Sequence, residues 1–310
     1  ITGVSVVLAL LGANADYFDK TDVADHKNWH LVNHGGKCGQ RKTQLAKIIG
    51  GQNADMGKYP WMVQLIYRSF RKGTERGMCG GSIINNRYVL TAAHCCFDNS
   101  DKNLVIVRTG EYDLHHTKDC FRGRCAPPKV DVGIESVTKH YKYQNRRGLT
   151  NDICLVRTSE EIEFNEYIQP ICLPVSVNMS KHDFESTEMM VAGWGQTETE
   201  PEGRLPVVLQ ETKVSVLNPW NCTMMFGSTV NPRTQVCAGG DIGQDVCAGD
   251  SGGPLMLRVV SRDSPEREQN YIFGLVSFGM PCSHQDGMPV AGVYTKISAF
   301  LTWILDTIEE

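Results

Sequence analysis

The sequence has 310 residues, of which 41% are hydrophobic and 21% charged, and its formal net charge is −4 at pH 7. A chain of this length can bury one large core or two smaller ones. The weak negative charge argues against a general affinity for nucleic acid or anionic membranes. No apolar run reaches the roughly 20 residues that a membrane-spanning helix needs.

The first apolar stretch, residues 4–15, is typical of the end of a secretory signal peptide cut before Asp16, with residues 1–15 as its remnant. A buried strand or helix is the alternative. The twelve cysteines are even in number and lack the spacing of a zinc site. Asn178 and Asn221 begin glycosylation sequons. Together these features predict a secreted, extracellular protein whose cysteines form disulfides.

Residues 16–47 are polar and show no periodicity, which predicts a poorly ordered prosegment tethered through Cys38. From residue 48 to 310 the pattern changes to short β-rich runs separated by Gly, Asn and charged turns. Because such runs recur in both halves, we predict an all-β domain of two antiparallel barrels. An amphipathic pattern predicts a closing helix from Ser298 to Ile308, with Ser298 as its N-cap.

Three segments carry residues suited to nucleophilic catalysis. Gly249–Pro254 surrounds Ser251 with glycines, Thr91–Cys95 contains His94, and Asn151–Ile153 contains Asp152. A serine hydroxyl needs a neighbouring base, and that base needs a carboxylate to orient it and to stabilise its charged form. Each segment alone could be an ordinary turn or cap, but the three together predict a catalytic triad.

The order and flanking sequences of His94, Asp152 and Ser251 resemble the chymotrypsin/trypsin family of serine peptidases, from Ile48 to the C-terminus. The resemblance implies two six-stranded antiparallel barrels with the active site between them. It implies that Ser251 attacks the scissile carbonyl, that His94 transfers the proton and that Asp152 orients His94. The N–H groups of Gly249 and Ser251 would form the oxyanion hole, and no cofactor would be required.

The segment around Lys47 resembles the activation sequence of that family. Cleavage after Lys47 would free the α-amine of Ile48, which would pair with the carboxylate of Asp250 beside the nucleophile. Such a pair is worth enough to shift a loop between two states, since removing one partner of a buried pair costs about 3–5 kcal/mol. The chain is therefore expected to be a zymogen.

Substrate selection is expected to depend on Asp245, which occupies the position of the primary specificity pocket floor in this family. Ser277, Gly279 and Gly292 resemble the pocket walls. A carboxylate at the end of a slot selects Arg or Lys, because an empty pocket would leave its charge unpaired. Val246 stands where trypsin has a serine that helps to bind lysine, so Arg should be preferred. Self-activation after Lys47 should then be poor, and an upstream peptidase would be needed.

The resemblance also implies disulfides and a possible metal site. Cys38–Cys172 would keep the prosegment attached, Cys120–Cys125 would close a surface loop, and by elimination Cys96 would pair with Cys154; the remaining bridges implied are Cys79–Cys95, Cys222–Cys237 and Cys247–Cys282. Glu111 and Asp113 lie in the loop where many of these peptidases bind calcium, although two acidic residues are also typical of a solvated turn.

The loop from Asp119 to Pro128 is similar to the catalytic domains of arthropod clip-domain peptidases, which act in haemolymph cascades. A clip domain needs six cysteines, and residues 1–37 contain none. The similarity implies a monomer that cleaves a protein substrate after Arg or Lys, and that depends on an upstream peptidase and a serpin-type inhibitor. A digestive trypsin and a non-catalytic adaptor are the alternatives. The basic segment 68–76 is either a solvated loop or an exosite for an acidic partner.

Overall fold

The computed structural model describes residues 23–41, 53–97, 102–121, 123–145, 149–175, 184–195, 206–227, 230–239, 250–260, 268–279 and 291–310. Strands dominate these residues, as the alternation of short β-rich runs predicts. Their bounds are β1 Met62–Ser69, β2 Glu75–Ile83, β3 Tyr88–Thr91, β4 Lys102–Thr109, β5 Cys120–Phe121, β6 Arg124–Cys125, β7 Val130–Lys139, β8 Cys154–Thr158, β9 Glu188–Gly193, β10 Gln210–Val216, β11 Gln235–Gly239, β12 Pro254–Val260, β13 Glu268–Gly279 and β14 Ala291–Lys296.

Twelve of these strands close into two antiparallel barrels of six strands each, which confirms the predicted fold class. The first barrel has the strand order β1-β2-β3-β8-β7-β4, and the second has the order β10-β11-β14-β13-β12-β9. Closure leaves neither barrel with an open edge along which another chain could pair. The short β5–β6 hairpin stands apart from both barrels.

Apolar side chains fill the barrels and the space between them. The first six residues of β1 are all buried, so this strand is covered on both faces rather than on one. A hydrophobic cluster continues from Trp61 and Leu65 in the first half to Met256 and Leu275 in the second. The barrels therefore share a core, and loops from both meet above it.

Helices are few among the described residues. Helix α1 spans Pro219–Phe226, and helix α2 spans Leu301–Thr307 directly after a 3-10 turn at Ile297–Phe300. Two further 3-10 turns lie at Trp29–Leu31 and Ala93–Cys95. None of the described helices has the length and apolar character needed to cross a membrane.

The predicted C-terminal helix is present, but it begins at Leu301 rather than Ser298, and its capping differs from the prediction. Leu301, Ile304 and Leu305 are buried, as the amphipathic pattern predicts. Ser298 is itself buried inside the 3-10 turn, and neither it nor another side chain caps the helix. The chain enters α2 from a tightened turn, and the N-cap prediction for Ser298 was wrong.

The prosegment prediction also needs correction, because residues 23–41 pack against the barrels. Val23 and Val32 are 6% and 4% exposed and join the main core. The Asn28 side-chain amide donates to the carbonyls of Leu305 and Ile308, at 2.9 and 2.8 Å. His34 Nε2 lies 2.9 Å from the carbonyl of Ile84. Two apolar anchors and these specific hydrogen bonds hold a segment whose sequence has no periodicity.

Candidate active site

The first catalytic segment is held in place by covalent and hydrogen bonds to β2. His94 lies in the 3-10 turn that follows β3, and its neighbour Cys95 forms a disulfide with Cys79 of β2. Gly80 connects this region to the nucleophile, since its N–H donates to the Ser251 carbonyl at 2.9 Å and its own carbonyl accepts from Thr91 Oγ1 at 2.8 Å. The structure thus brings residues 91–95 and 251 to one place.

Asp152 and His94 form the base pair that a triad requires. His94 Nδ1 lies 2.7 Å from Asp152 Oδ2, and the backbone N–H of His94 donates to Asp152 Oδ1 at 2.9 Å. Asp152 is fully buried, whereas the side chain of His94 is 23% exposed. The carboxylate therefore fixes both the position and the tautomer of the imidazole, leaving Nε2 to act as the base.

Two residues of the second barrel complete the surroundings of Asp152. Ser277 Oγ donates to Asp152 Oδ2 at 2.5 Å, and Thr295 Oγ1 donates to the Asp152 carbonyl at 2.8 Å. The side chain of Ser277 therefore serves the catalytic aspartate, and the expectation that Ser277 forms a pocket wall does not describe this hydroxyl. Sequence reasoning missed Thr295, since nothing local to β14 indicates a contact with a residue 143 positions away.

A tyrosine near the triad stays neutral at ordinary pH. Burial, with a smaller contribution from the charge of Asp152, raises the pKa of Tyr143 to about 12. The phenol therefore adds no second negative charge beside the catalytic carboxylate.

A tight turn presents the nucleophile. Ser251 is half-buried, and Gly253 N–H donates to the Asp250 carbonyl at 2.8 Å, which closes the turn. Gly252 has a φ of +78°, and a Cβ there would lie 2.1 Å from Thr91 Oγ1. Only glycine fits that backbone conformation and that contact without strain. This is why a serine flanked by glycines suits the position.

The carboxylate of Asp250 lies against Gly193, the last residue of β9, and Gly195, two residues further on. Gly195 N–H donates to Asp250 Oδ1 at 2.8 Å. A Cβ on Gly193 or on Gly195 would lie 1.9 or 2.4 Å from the carboxylate atoms. Asp250 directly precedes Ser251 in the nucleophile turn. A charged group that bound the Asp250 carboxylate would therefore change the position of Ser251.

Two expected pocket residues lie opposite each other on neighbouring strands of the second barrel. Gly279 of β13 pairs with Gly292 of β14, and a Cβ on Gly279 would meet the Gly292 Cα at 3.4 Å. Neither residue contributes a side chain to this part of the barrel surface. Asp245 and Val246 lie outside the described residues, as do Gly249, Lys47 and Ile48.

Five disulfides join described cysteines, and their pairings coincide with those expected. Two of them lie beside the triad. Cys79–Cys95 joins the histidine turn to β2, and Cys96–Cys154 joins it to β8, the strand that follows Asp152. The five bonds are Cys38–Cys172, Cys79–Cys95, Cys96–Cys154, Cys120–Cys125 and Cys222–Cys237. Cys247 and Cys282 lie outside the described residues.

The side chains expected to bind calcium have other partners. Burial raises the pKa of the Glu111 carboxyl, and Lys129 opposes this with its ammonium 2.6 Å from Glu111 Oε2. Asp113 Oδ2 lies 2.9 Å from His116 Nδ1. Calcium needs six to eight oxygens with enough negative charge to hold it. A buried carboxylate already neutralised by lysine does not fit such a site.

Two other places carry potential metal ligands or a glycosylation sequon. Cys79, His94 and Cys95 form a close group of potential metal ligands, but the two cysteines are disulfide-bonded to each other. Asn221 is exposed on α1, where a glycan could be attached. Asn178 lies outside the described residues.

Comparison with known proteins places this geometry in a family. A family model described as Trypsin matches residues 48–304. Phenoloxidase-activating factor 3 of Holotrichia diomphalia is 39% identical over 266 residues, covering 83% of this chain and 71% of the relative. CLIP domain-containing serine protease HP8 of Bombyx mori is 39% identical over 273 residues, covering 85% and 70%.

A solved structure agrees with these relatives. The Drosophila Grass clip serine protease of the Toll pathway superposes with a TM-score of 0.73 at 33% identity, covering 89% of this chain and 75% of that one. The catalytic geometry, the paired barrels and these similarities agree. The chain is a trypsin-like serine protease and belongs to the trypsin family.

Proposed function

We propose that this protein is a secreted endopeptidase zymogen that, once cut after Lys47, cleaves protein substrates after Arg in a proteolytic cascade of the innate-immunity type. The observation that carries the proposal is the buried Asp152 bound to His94, in a turn that β2 joins to the half-buried Ser251. This arrangement can deprotonate a serine for acyl transfer. The intact triad argues against the adaptor alternative.

Specificity for a basic residue rests on Asp245 and on the glycine-lined wall. Gly279 and Gly292 leave room for a long side chain, and a carboxylate at the end of the slot would pair with its charge. Since Val246 offers no hydroxyl to the ammonium of lysine, the guanidinium of Arg should bind better. Matched fluorogenic substrates ending in Arg and Lys test this preference. Equal or faster turnover of the Lys substrate would contradict it.

The position of the Asp250 carboxylate supports activation by cleavage after Lys47. Its carboxylate lies against Gly193 and Gly195 at the base of the nucleophile turn, so a new α-amine reaching it would order the oxyanion region. We expect Asp250→Asn to abolish most activity of the cleaved chain. Lys47→Gln should block activation by a Lys-specific peptidase without changing the folded precursor. Full activity of cleaved Asp250→Asn would rule out the switch.

A cascade role is favoured over digestion by the N-terminal segment. Cys38–Cys172 and the packing of residues 23–41 would keep this piece attached after cleavage. Relatives named as a phenoloxidase-activating factor and as a Toll-pathway protease point the same way. An upstream peptidase would supply the cut and a serpin-type inhibitor would end the activity. Incubation of the activated enzyme in insect haemolymph should yield a stable covalent serpin complex, whereas a digestive enzyme would degrade proteins broadly without one.

A further inference from the structure

A cavity of about 530 Å³ lies beside the nucleophile, where the outer face of the first barrel meets the second. Its inner end is bounded by Asp250 and Gly253 of the nucleophile turn, and by Gly193 of β9. Its outer end is lined by Arg76 of β2 and by Lys102 and Arg108 of β4. The cavity therefore connects the catalytic turn to a rim with three cationic side chains.

The cations at this rim differ in whether a carboxylate already neutralises them. Arg108 forms a bidentate pair with Asp131, at 2.7 and 2.8 Å. Lys102 Nζ contacts Met78 Sδ at 3.5 Å. The side chain of Arg76 is exposed and forms no hydrogen bond or ion pair with any residue in the described ranges. Its neighbour Glu75 is already paired with Arg68 at 2.6 Å.

The position of the cavity indicates which part of a substrate would pass it. The residue before the scissile bond is expected against Gly279 and Gly292, and neither strand of that wall lines the cavity. The leaving amine takes its proton from His94. Because Cys95–Cys79 joins the histidine turn to β2, we expect the departing segment to leave past β2 and the cavity mouth.

We propose that Arg76 forms a subsite for an acidic side chain located two to four residues after the scissile bond. Arg76 lies three strand residues from Cys79, which corresponds to ~10 Å along β2. An extended substrate covers that distance in about three residues. The acidic group binds at the outer rim of the cavity, where the exposed guanidinium of Arg76 can pair with it.

Internally quenched peptides test this subsite in the activated full-length enzyme. The peptides have Arg before the scissile bond and are otherwise matched, with Glu, Gln or Lys at the second, third or fourth position after it. At low salt we expect kcat/KM to be about 3–10-fold higher for Glu than for Gln at one of these positions, with the preference shrinking as salt rises. Arg76→Gln should remove the preference, and Arg76→Glu should shift it to Lys.

Two controls separate this subsite from other causes. Lys72→Gln changes an exposed cation on the same hairpin that does not line the cavity, so it should keep the preference for Glu. An Arg-aminomethylcoumarin substrate has no residue after the scissile bond, and Arg76→Gln should cleave it like the wild type. Equal rates for Glu and Gln at all three positions, or an unchanged preference in Arg76→Gln, would overturn the proposal.

The Arg76 subsite depends on the proposed function in one respect, which is that the test peptides carry Arg before the scissile bond. If the coumarin substrates show another preferred residue, that residue replaces Arg and the comparison of Glu with Gln remains valid. A failure of the proposed specificity is thus distinguishable from a failure of the subsite.

Discussion

At the scale of single residues, the environment of Asp152 explains how a buried charge is kept in place. The carboxylate accepts from the backbone and ring of His94 and from Ser277. An unpaired buried charge would cost several kcal/mol, so these donors compensate the carboxylate for the contacts with solvent that burial removes. Ser277 is therefore a positioning residue that acts through the aspartate.

Ser277→Ala should affect stability more than chemistry. Losing a hydrogen bond to a charged group costs about 1.5–3 kcal/mol of unfolding free energy, whereas the two contacts to His94 persist. Asp152→Asn, by contrast, should lower kcat by about 10⁴-fold, because the imidazole is then held in the wrong tautomer. Urea unfolding and kcat on a small Arg substrate measure both. A loss of kcat in Ser277→Ala as large as that in Asp152→Asn would contradict this division.

The pair of Lys129 and Glu111 predicts the response to calcium. Because the ammonium already neutralises this buried carboxylate, millimolar calcium should leave the Tm of the wild type unchanged. Lys129→Gln removes the cation and should lower the unfolding free energy by about 2 kcal/mol. Calcium should then raise the Tm of this variant more than that of the wild type. A calcium-dependent rise in wild-type Tm measured by calorimetry would show that the site accepts the ion.

At the scale of elements, the disulfides beside the triad fix the histidine turn between two strands. Cys96–Cys154 closes a stretch with a sequence separation of 58, and Cys120–Cys125 one of 5. Restricting a longer loop removes more entropy from the unfolded chain. The Cys96–Cys154 bond is therefore expected to stabilise the folded chain more than the Cys120–Cys125 bond.

Replacing Cys96 and Cys154 together by serine should lower the unfolding free energy by about 2–4 kcal/mol. The matched double replacement of Cys120 and Cys125 should cost less, because that bond closes only the β5–β6 hairpin. Thermal unfolding of both variants under identical conditions measures the difference. Equal destabilisation would mean that loop length and position beside the triad do not matter.

Two histidines, the half-buried His34 and the buried His140, predict a pH dependence of stability. Burial lowers the pKa of His34, despite its hydrogen bond to Ile84, and also that of His140, where nearby Lys142 adds to the effect. The unfolded chain, with a histidine pKa near 6.5, therefore binds protons before the folded one does as pH falls. The unfolding free energy should consequently decrease as pH drops below about 6.5.

His140→Phe isolates one of these contributions. The ring packs against Tyr141, Phe300 and Trp303, so phenylalanine keeps the packing and removes the titration. The variant should lose less stability than the wild type between pH 7 and pH 5 in urea unfolding. An unchanged or steeper loss would show that His140 does not contribute.

At the scale of the whole molecule, the sequence sufficed for features encoded locally. Strand runs such as 104–108 and the glycines around Ser251 carry their own signals, and the family resemblance supplied the disulfide pairings. Contacts made by tertiary folding carried no such signal. Ser277 and Thr295 meet Asp152 across 125 and 143 positions. The ion pair between Lys129 and Glu111 is also a contact made by tertiary folding, so the sequence does not indicate it.

The N-terminal segment shows a second limit of pattern reading. Residues 23–41 have too few apolar positions to display periodicity, yet Val23, Val32 and Asn28 suffice to attach them to the core and to α2. The surfaces that these three residues contact exist only once the barrels and α2 have folded. The precursor is therefore one body in which the N-terminal segment and the protease share a core.

We propose that the cleaved chain is a serine endopeptidase selective for Arg. The most direct test is kcat/KM for fluorogenic substrates ending in Arg, Lys and Phe, measured after cleavage at the bond following Lys47, with Ser251→Ala as the inactive control. We predict the order Arg, then Lys, then far slower Phe, with no turnover by Ser251→Ala. Preference for Phe, or equal activity of Ser251→Ala, would contradict the account.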